Sequence, residues 1–119
     1  MKTIIKRMDR ENLNSDDFKD AVKLLKEGQL VAFPTETVYG LGGDALDKTA
    51  ARRIYEAKGR PSDNPLIVHI ANIEALKELA VEVPEEAYRL ADAFWPGPLT
   101  MILKKSDLVP RETTGGLDL

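Results

Sequence analysis

The chain has 119 residues, 43% of them hydrophobic and 31% charged, with 17 Lys and Arg against 20 Asp and Glu and a formal net charge of −3. A length of this order suits one domain, here residues 1–119, which would bury about 60–70% of the surface its unfolded chain exposes. The charge balance offers nucleic acid no global basic field, although a local patch stays open, and the absence of cysteine excludes disulfides, thiolate nucleophiles and cysteine zinc sites, as suits a reducing compartment. Residues 1–12 hold no apolar region of signal-peptide length. No stretch approaches the roughly 20 apolar residues of a membrane span, so a soluble, cytoplasmic protein without a membrane partner is expected.

In chain order, Thr3-Ile4-Ile5 fits a short first strand, and a polar connector leads to Ser15. Ser15 can cap a first helix whose start is complemented by Asp16 and Asp17, whose apolar stripe is Phe18, Ala21, Val22 and Leu25, and whose stop is Gly28. Leu30 to Phe33 follow as a buried strand, ended by Pro34, which has no backbone donor. Asp47 can cap a second helix with Ala50, Ala51, Ile54 and Tyr55 facing inward and Gly59 closing it. The stretch from Arg60 to Pro65 reads as an irregular loop because each proline drives its predecessor extended. It leads into Leu66-Ile67-Val68-His69-Ile70, β-branched like a buried strand. Asn72 then begins a short helix carrying Ile73, Leu76, Leu79 and Ala80. Pro84 suits the first position of a further helix with Glu85 and Glu86 in its first turn and Ala87, Leu90, Ala91 and Phe94 on its apolar face. The Trp95-Pro96-Gly97-Pro98 turn breaks that helix, and Leu99 to Leu103 form another strand. Alternation of strands and helices argues an α/β fold in packed layers. From Lys104 to Gly116 no periodicity is visible, and Leu117-Asp118-Leu119 begins a strand-like pattern.

Chemistry concentrates in three places. In Thr35-Glu36-Thr37-Val38-Tyr39 an extended backbone would send Thr35, Thr37 and Tyr39 to one side. Three hydroxyls, each donor and acceptor, would then line a wall suited to an amino acid, a carboxylate or bicarbonate; a solvated edge strand fits the same residues. Gly40, Gly42 and Gly43 read either as a tight turn or as a phosphate cradle. Lys58-Gly59-Arg60-Pro61 places two cations at a helix end, either to clamp phosphate or merely to complement the helix dipole. His69, the only histidine, stands in an apolar run and reads as a satisfied core imidazole unless it faces the threonine-rich loop. No catalytic triad, metal-ligand spacing or paired catalytic carboxylates can be placed.

Taken together, Pro34-Thr35-Glu36-Thr37-Val38-Tyr39-Gly40-Leu41, Lys58-x-Arg60-Pro61, Asn64-Pro65-Leu66 with His69, and Phe94-Trp95-Pro96-Gly97-Pro98-Leu99-Thr100 closely resemble the YrdC/TsaC/Sua family of threonylcarbamoyl-adenylate synthases. The resemblance runs from about residue 12 to 119 and covers the first part of the family domain, which continues into a Ser-x-Asn motif. It implies a YrdC-like open α/β fold with a twisted mixed sheet flanked by helices, truncated at its C-terminus. The implied reaction joins L-threonine, bicarbonate and ATP into threonylcarbamoyl-adenylate and pyrophosphate, for the threonylcarbamoyl modification of adenosine in tRNA. By the same resemblance Lys58 and Arg60 are the catalytic pair and, with Asn64, bind ATP. Thr35, Thr37, Tyr39 and His69 would bind threonine and bicarbonate. Magnesium would accompany ATP, held mainly by its phosphates, and tRNA or other tRNA-modification proteins are implied partners. Two alternatives remain at this stage: an RNA-binding module without catalysis, using a patch of Lys48, Arg52, Arg53, Lys58 and Arg60, and a carbamoyl-handling domain of hydrogenase-maturation type.

Overall fold

The structure, a computed structural model, describes residues 2–8, 11 and 16–119. The expected Ser15 cap lies outside them. Residues 2–8 form no strand, contrary to the pattern of Thr3 to Ile5, and Ile4 and Ile5 remain 62% and 90% exposed. Two adjacent isoleucines point to opposite sides of an extended chain, so without a neighbouring strand neither gains a buried face.

Helix α1 (Asp16–Lys26) half-buries Phe18, Ala21, Leu24 and Leu25, while Val22 stays exposed. It ends as the sequence predicts: Gly28 takes φ 79°, its N–H donates to the Leu25 carbonyl and that of Gln29 to the Leu24 carbonyl, the paired closure of a Schellman cap. Strands β1 (Val31–Pro34) and β2 (Tyr39–Gly42) pair antiparallel, with Val31 opposite Gly42 and Pro34 opposite Tyr39.

Helix α2 (Lys48–Lys58) is the core of the molecule, burying Ala50, Ala51, Ile54 and Tyr55 as expected. Asp47 Oδ1 accepts the Thr49 and Ala50 N–H groups at 2.9 and 3.4 Å. Gly59 closes the other end at φ 63°, again with paired bonds, from Gly59 N to Glu56 O and from Arg60 N to Tyr55 O. Two long-range contacts seat α2. Arg53 Nη1 donates to the Gly28 carbonyl at 2.5 Å, and a Cβ on Gly43 would stand 3.3 Å from Ala50 Cβ and 3.5 Å from Ile54 Cδ1, so only a bare backbone lets the segment after β2 approach this closely.

Helix α3 (Glu74–Leu79) buries Leu76 and is followed by buried Ala80, and Asn72 Oδ1 accepts from Ala75 N at its start. Helix α4 (Glu85–Phe94) buries Ala87 and Ala91. Pro84 stands at its N-cap with ψ 157°, one position before the predicted place. Leu90 and Phe94, expected inside, are 42% and 59% exposed. Trp95 Nε1 donates to the Leu99 carbonyl at 2.9 Å, which makes the Trp-Pro-Gly-Pro turn a packing corner.

The α/β class holds, but the sheet is smaller than the sequence pattern implies. Residues 66–70 and 99–103 alternate half-buried and exposed positions as strands do, yet neither belongs to a ladder. Apart from β1 and β2, pairing among the described residues is one antiparallel bridge, Ala80 to Lys105, reinforced by bonds from Val81 N to Lys104 O and from Ser106 N to Leu79 O. Residues 117–119 form no strand either. The accessible surface is therefore 9310 Å², where a compact protein of 13.2 kDa would expose about 6,400 Å². Roughly half of the unfolded chain's surface is buried, less than the sequence length predicts, and Ile67 (64% exposed) and Ile102 (78%) are among the large apolar side chains left without a covering layer.

Candidate functional site

The hairpin β1–β2 carries the first group of site residues. Its antiparallel register means that the chain reverses between Pro34 and Tyr39, so the expected extended run from Thr35 to Tyr39 is instead the hairpin connection. Thr35 makes that reversal. Its half-buried hydroxyl accepts the Thr37 and Val38 N–H groups at 3.3 and 3.2 Å and donates to the Val38 carbonyl, a side-chain substitute for a backbone turn. Thr37 and Tyr39 are exposed, with Tyr39 opening the return strand. A hydroxyl-bearing loop exists here, grouped by a turn and not by strand periodicity.

Gly40 and Gly42 do not form a tight turn. Both lie in β2 beneath the Phe33 ring, where a Cβ would come 3.2 and 2.7 Å from Phe33 carbons. The ring lies over the bare strand and meets His69 nearly edge-on, with centroids 5.8 Å apart and planes at 79°, a favoured aromatic geometry. His69 is exposed, not a core imidazole, and its Nδ1 lies 3.2 Å from the Ile67 carbonyl. Phe33 thus brings the His69 segment against the hairpin, an arrangement sequence reading missed because a lone Phe in an apolar strand carries no signal beyond burial.

The second group sits at the end of α2. Lys58 and Arg60 flank Gly59, both exposed, and neither side chain has a hydrogen-bond or ion-pair partner among the described residues. Other cations of the predicted basic patch are committed: Arg52 pairs with Glu112 at 3.3 Å and Arg53 with the Gly28 carbonyl. The loop from Arg60 to Pro65 is tied back to α2 by Tyr55, whose hydroxyl donates to the Asn64 carbonyl at 2.6 Å. Burial pushes the Tyr55 phenol above its ordinary value of 10.0, and the Asp63 carboxylate adds to the effect. Asn64 itself is exposed.

A third element was silent in the sequence. Thr113, 1% exposed, donates its hydroxyl to the Ala45 carbonyl at 2.6 Å and accepts the Leu66 N–H on its own carbonyl at 2.9 Å. Gly115, at φ 66°, lies so close to the Asp63 carbonyl that a Cβ would stand 2.7 Å from it. The turn at residues 110–116 therefore staples the exit of the hairpin to the entry of the His69 segment. Pro110 and the two glycines after Thr113-Thr114 are cues to a turn, but none of them points to the partners of Thr113.

The structure joins Thr35, Tyr39 and His69 through the hairpin, and Lys58, Arg60 and Asn64 through α2 and its loop. Among the described residues no hydrogen bond bridges the two groups; their shared supports are α2 and the Thr113 staple. Surface hollows along Phe18, Val22 and Lys26 of α1, and where α1 meets Gly43 and Asp44, include none of these residues. No cluster of three His, Asp or Glu side chains able to hold a metal occurs among the described residues, and no helix among them is long and apolar enough to cross a membrane.

This architecture, a glycine-backed hairpin set on a capped helix with free cations at its end, defines an α/β protein with a polar loop site and a basic helix terminus. Residues 23–119 match the sequence model of the Sua5, YciO and YrdC family, described as telomere recombination, and the chain belongs to that family. It is 62% identical over 109 residues to the threonylcarbamoyl-AMP synthase of Pyrococcus abyssi, covering 92% of this chain and 32% of that protein. It is 54% identical to the Bacillus subtilis threonylcarbamoyl-AMP synthase, covering 90% and 32%. The fold matches the crystal structure of P. abyssi Sua5 complexed with L-threonine at a TM-score of 0.82 and 65% identity, over 84% of this chain and 29% of that one. The chain thus spans about a third of the length of these relatives.

Proposed function

We propose that this chain contributes the hairpin and basic terminus of a threonylcarbamoyl-AMP synthase site, taking L-threonine, bicarbonate and ATP. The observation that carries the reading is the pair Lys58 and Arg60, left without carboxylate partners among the described residues, beside a loop held in a fixed shape. Two unneutralised cations suit an anionic ligand, Arg60 with a planar fork and Lys58 as a mobile point charge. The names of the relatives and the threonine-bound neighbour support the substrate set.

The chemistry needs positioning more than a nucleophile. The threonine amine attacks the carbon of bicarbonate and water is lost, giving a carbamate. A carbamate oxygen then attacks the α-phosphorus of ATP and pyrophosphate leaves. The residues of this chain would orient the reactants and offset charge on the phosphoryl group: Thr37, Tyr39 and His69 on the threonine side, with Thr35 holding the loop, and Lys58, Arg60 and Asn64 on the nucleotide. Magnesium accompanying ATP would find its ligands in phosphate and water, since the described residues form no acidic cage. The product would serve the threonylcarbamoyl modification of adenosine in tRNA, in the cytoplasm. The RNA-binding alternative is disfavoured by the commitment of Arg52 and Arg53 to other partners.

The test is incubation of the chain with Mg-ATP, L-threonine and labelled bicarbonate, following pyrophosphate, alongside an NMR titration with ATP. Threonine-dependent pyrophosphate, or ATP-dependent shifts centred on Lys58 to Asn64, supports the reading. Absence of both overturns it.

A further inference from the structure

The geometry points to Tyr55 as a positioning residue that holds both ends of the Arg60–Asn64 loop in the shape that meets the nucleotide. One residue does this twice. Its backbone carbonyl accepts the Arg60 N–H at 3.1 Å, and its phenol donates to the Asn64 carbonyl at 2.6 Å. Because the ring is anchored in the core at 5% exposure, the hydroxyl is a fixed post and not a mobile side chain. Between the two bonds lie Pro61 and the Asn64 N–H, which donates to the Pro61 carbonyl at 3.3 Å, so the loop is closed on itself as well as on the helix. The residues so held are those with free side chains: Arg60 and Asn64 are exposed and Lys58 is one residue before the cap.

A loop of five residues with two prolines nearby has few conformers to begin with, and a hydrogen bond at its far end selects among them. A ligand that needs Arg60 and Asn64 together then meets them already placed and loses less ordering entropy on binding. Tyr55 touches no ligand in this scheme. The inference rests on the reading that Lys58, Arg60 and Asn64 bind ATP.

The test is Tyr55→Phe, which keeps the ring and the backbone bond and removes only the hydroxyl. Amide exchange is measured without ligand, and ATP affinity by NMR titration of the same samples. In the variant, exchange at the bonded amides of Asn64 and Leu66 is expected to rise about tenfold, as for loss of one hydrogen bond, and ATP affinity to fall about tenfold, while shifts of residues 31–42 stay in place. Global loosening would move the hairpin as well and overturns the assignment. Unchanged loop exchange, or faster exchange with unchanged ATP affinity, also overturns it. If the unaltered chain binds no ATP, the parent reading fails and this inference falls with it, an outcome distinct from a variant that matches it. Should Tyr55→Phe not fold, amide exchange of the unaltered chain decides: the Asn64 and Leu66 N–H groups, both hydrogen-bonded without ligand, are expected to be protected before ATP is added, and protection that appears only with ATP refutes the role.

Discussion

Replacing Thr113 by valine tests whether one buried hydroxyl holds the two walls of the site together. Valine keeps the shape and loses the donor. The Ala45 carbonyl, half-buried and bonded to Thr113 Oγ1 at 2.6 Å, is left without that partner, and an unsatisfied group of this kind costs about 1–3 kcal/mol. With an unfolding entropy of about 2.1 cal/mol/K per residue, a chain of 119 residues loses about 4 °C in Tm for each kcal/mol, so a fall of about 8 °C is expected at the middle of the range. Thr113→Ser provides the control, since it keeps the hydroxyl and loses one methyl, about 0.8 kcal/mol or some 3 °C. Thermal unfolding followed by Trp95 fluorescence reads both, and amide exchange at Leu66, bonded to the Thr113 carbonyl, reports whether the His69 segment loosens with it. If serine costs as much as valine, the site is held by packing and the hydrogen-bond argument is wrong.

The helices were the legible part of this chain because their signals are local. Asp47, Gly28 and Gly59 act through bonds to residues at most five positions away, and the inward set of α2 follows from a period set by its own backbone. Strands depend on partners, and the residues 66–70 and 99–103 have the right composition without a ladder to join, so pattern reading overstated the sheet. The site was legible as a set of residues and not as a geometry. Thr35 was identified for its hydroxyl, but period-two reasoning could not foresee that this hydroxyl would turn the chain. Gly40 and Gly42 were identified as unusual, but their reason is Phe33 across the hairpin. Tyr55 was assigned to the core, which is true of its ring, while its hydroxyl reaches a loop nine residues on. Thr113 acts over a separation of 68 residues, and nothing in its neighbourhood announces that.

Three further outcomes follow from the same contacts. Arg60→Ala should weaken ATP binding about 10- to 100-fold, the range for a hydrogen bond to a charged group, while Tm moves by less than about 2 °C because the exposed guanidinium has no partner among the described residues to lose; equal losses in both would refute its role as a clamp. Gly28→Ala should destabilise more than Gly59→Ala in chemical denaturation: both positions carry positive φ, about 1–2 kcal/mol of strain for alanine, but a Cβ at Gly28 stands 2.9 Å from Asp47 Oδ2 while at Gly59 it meets nothing within 4 Å. Finally, Tyr55 should make stability fall in strong alkali. Its phenol is held above 10.0 by burial first and by Asp63 second, so the folded chain keeps a proton that the unfolded chain has released. That contribution is fully present below about pH 10 and is lost as pH rises through the higher folded value. Urea unfolding between about pH 8 and 11 should show the unaltered chain losing stability relative to Tyr55→Phe only above about pH 10, and parallel curves for the two would show that the phenol titrates alike in both states.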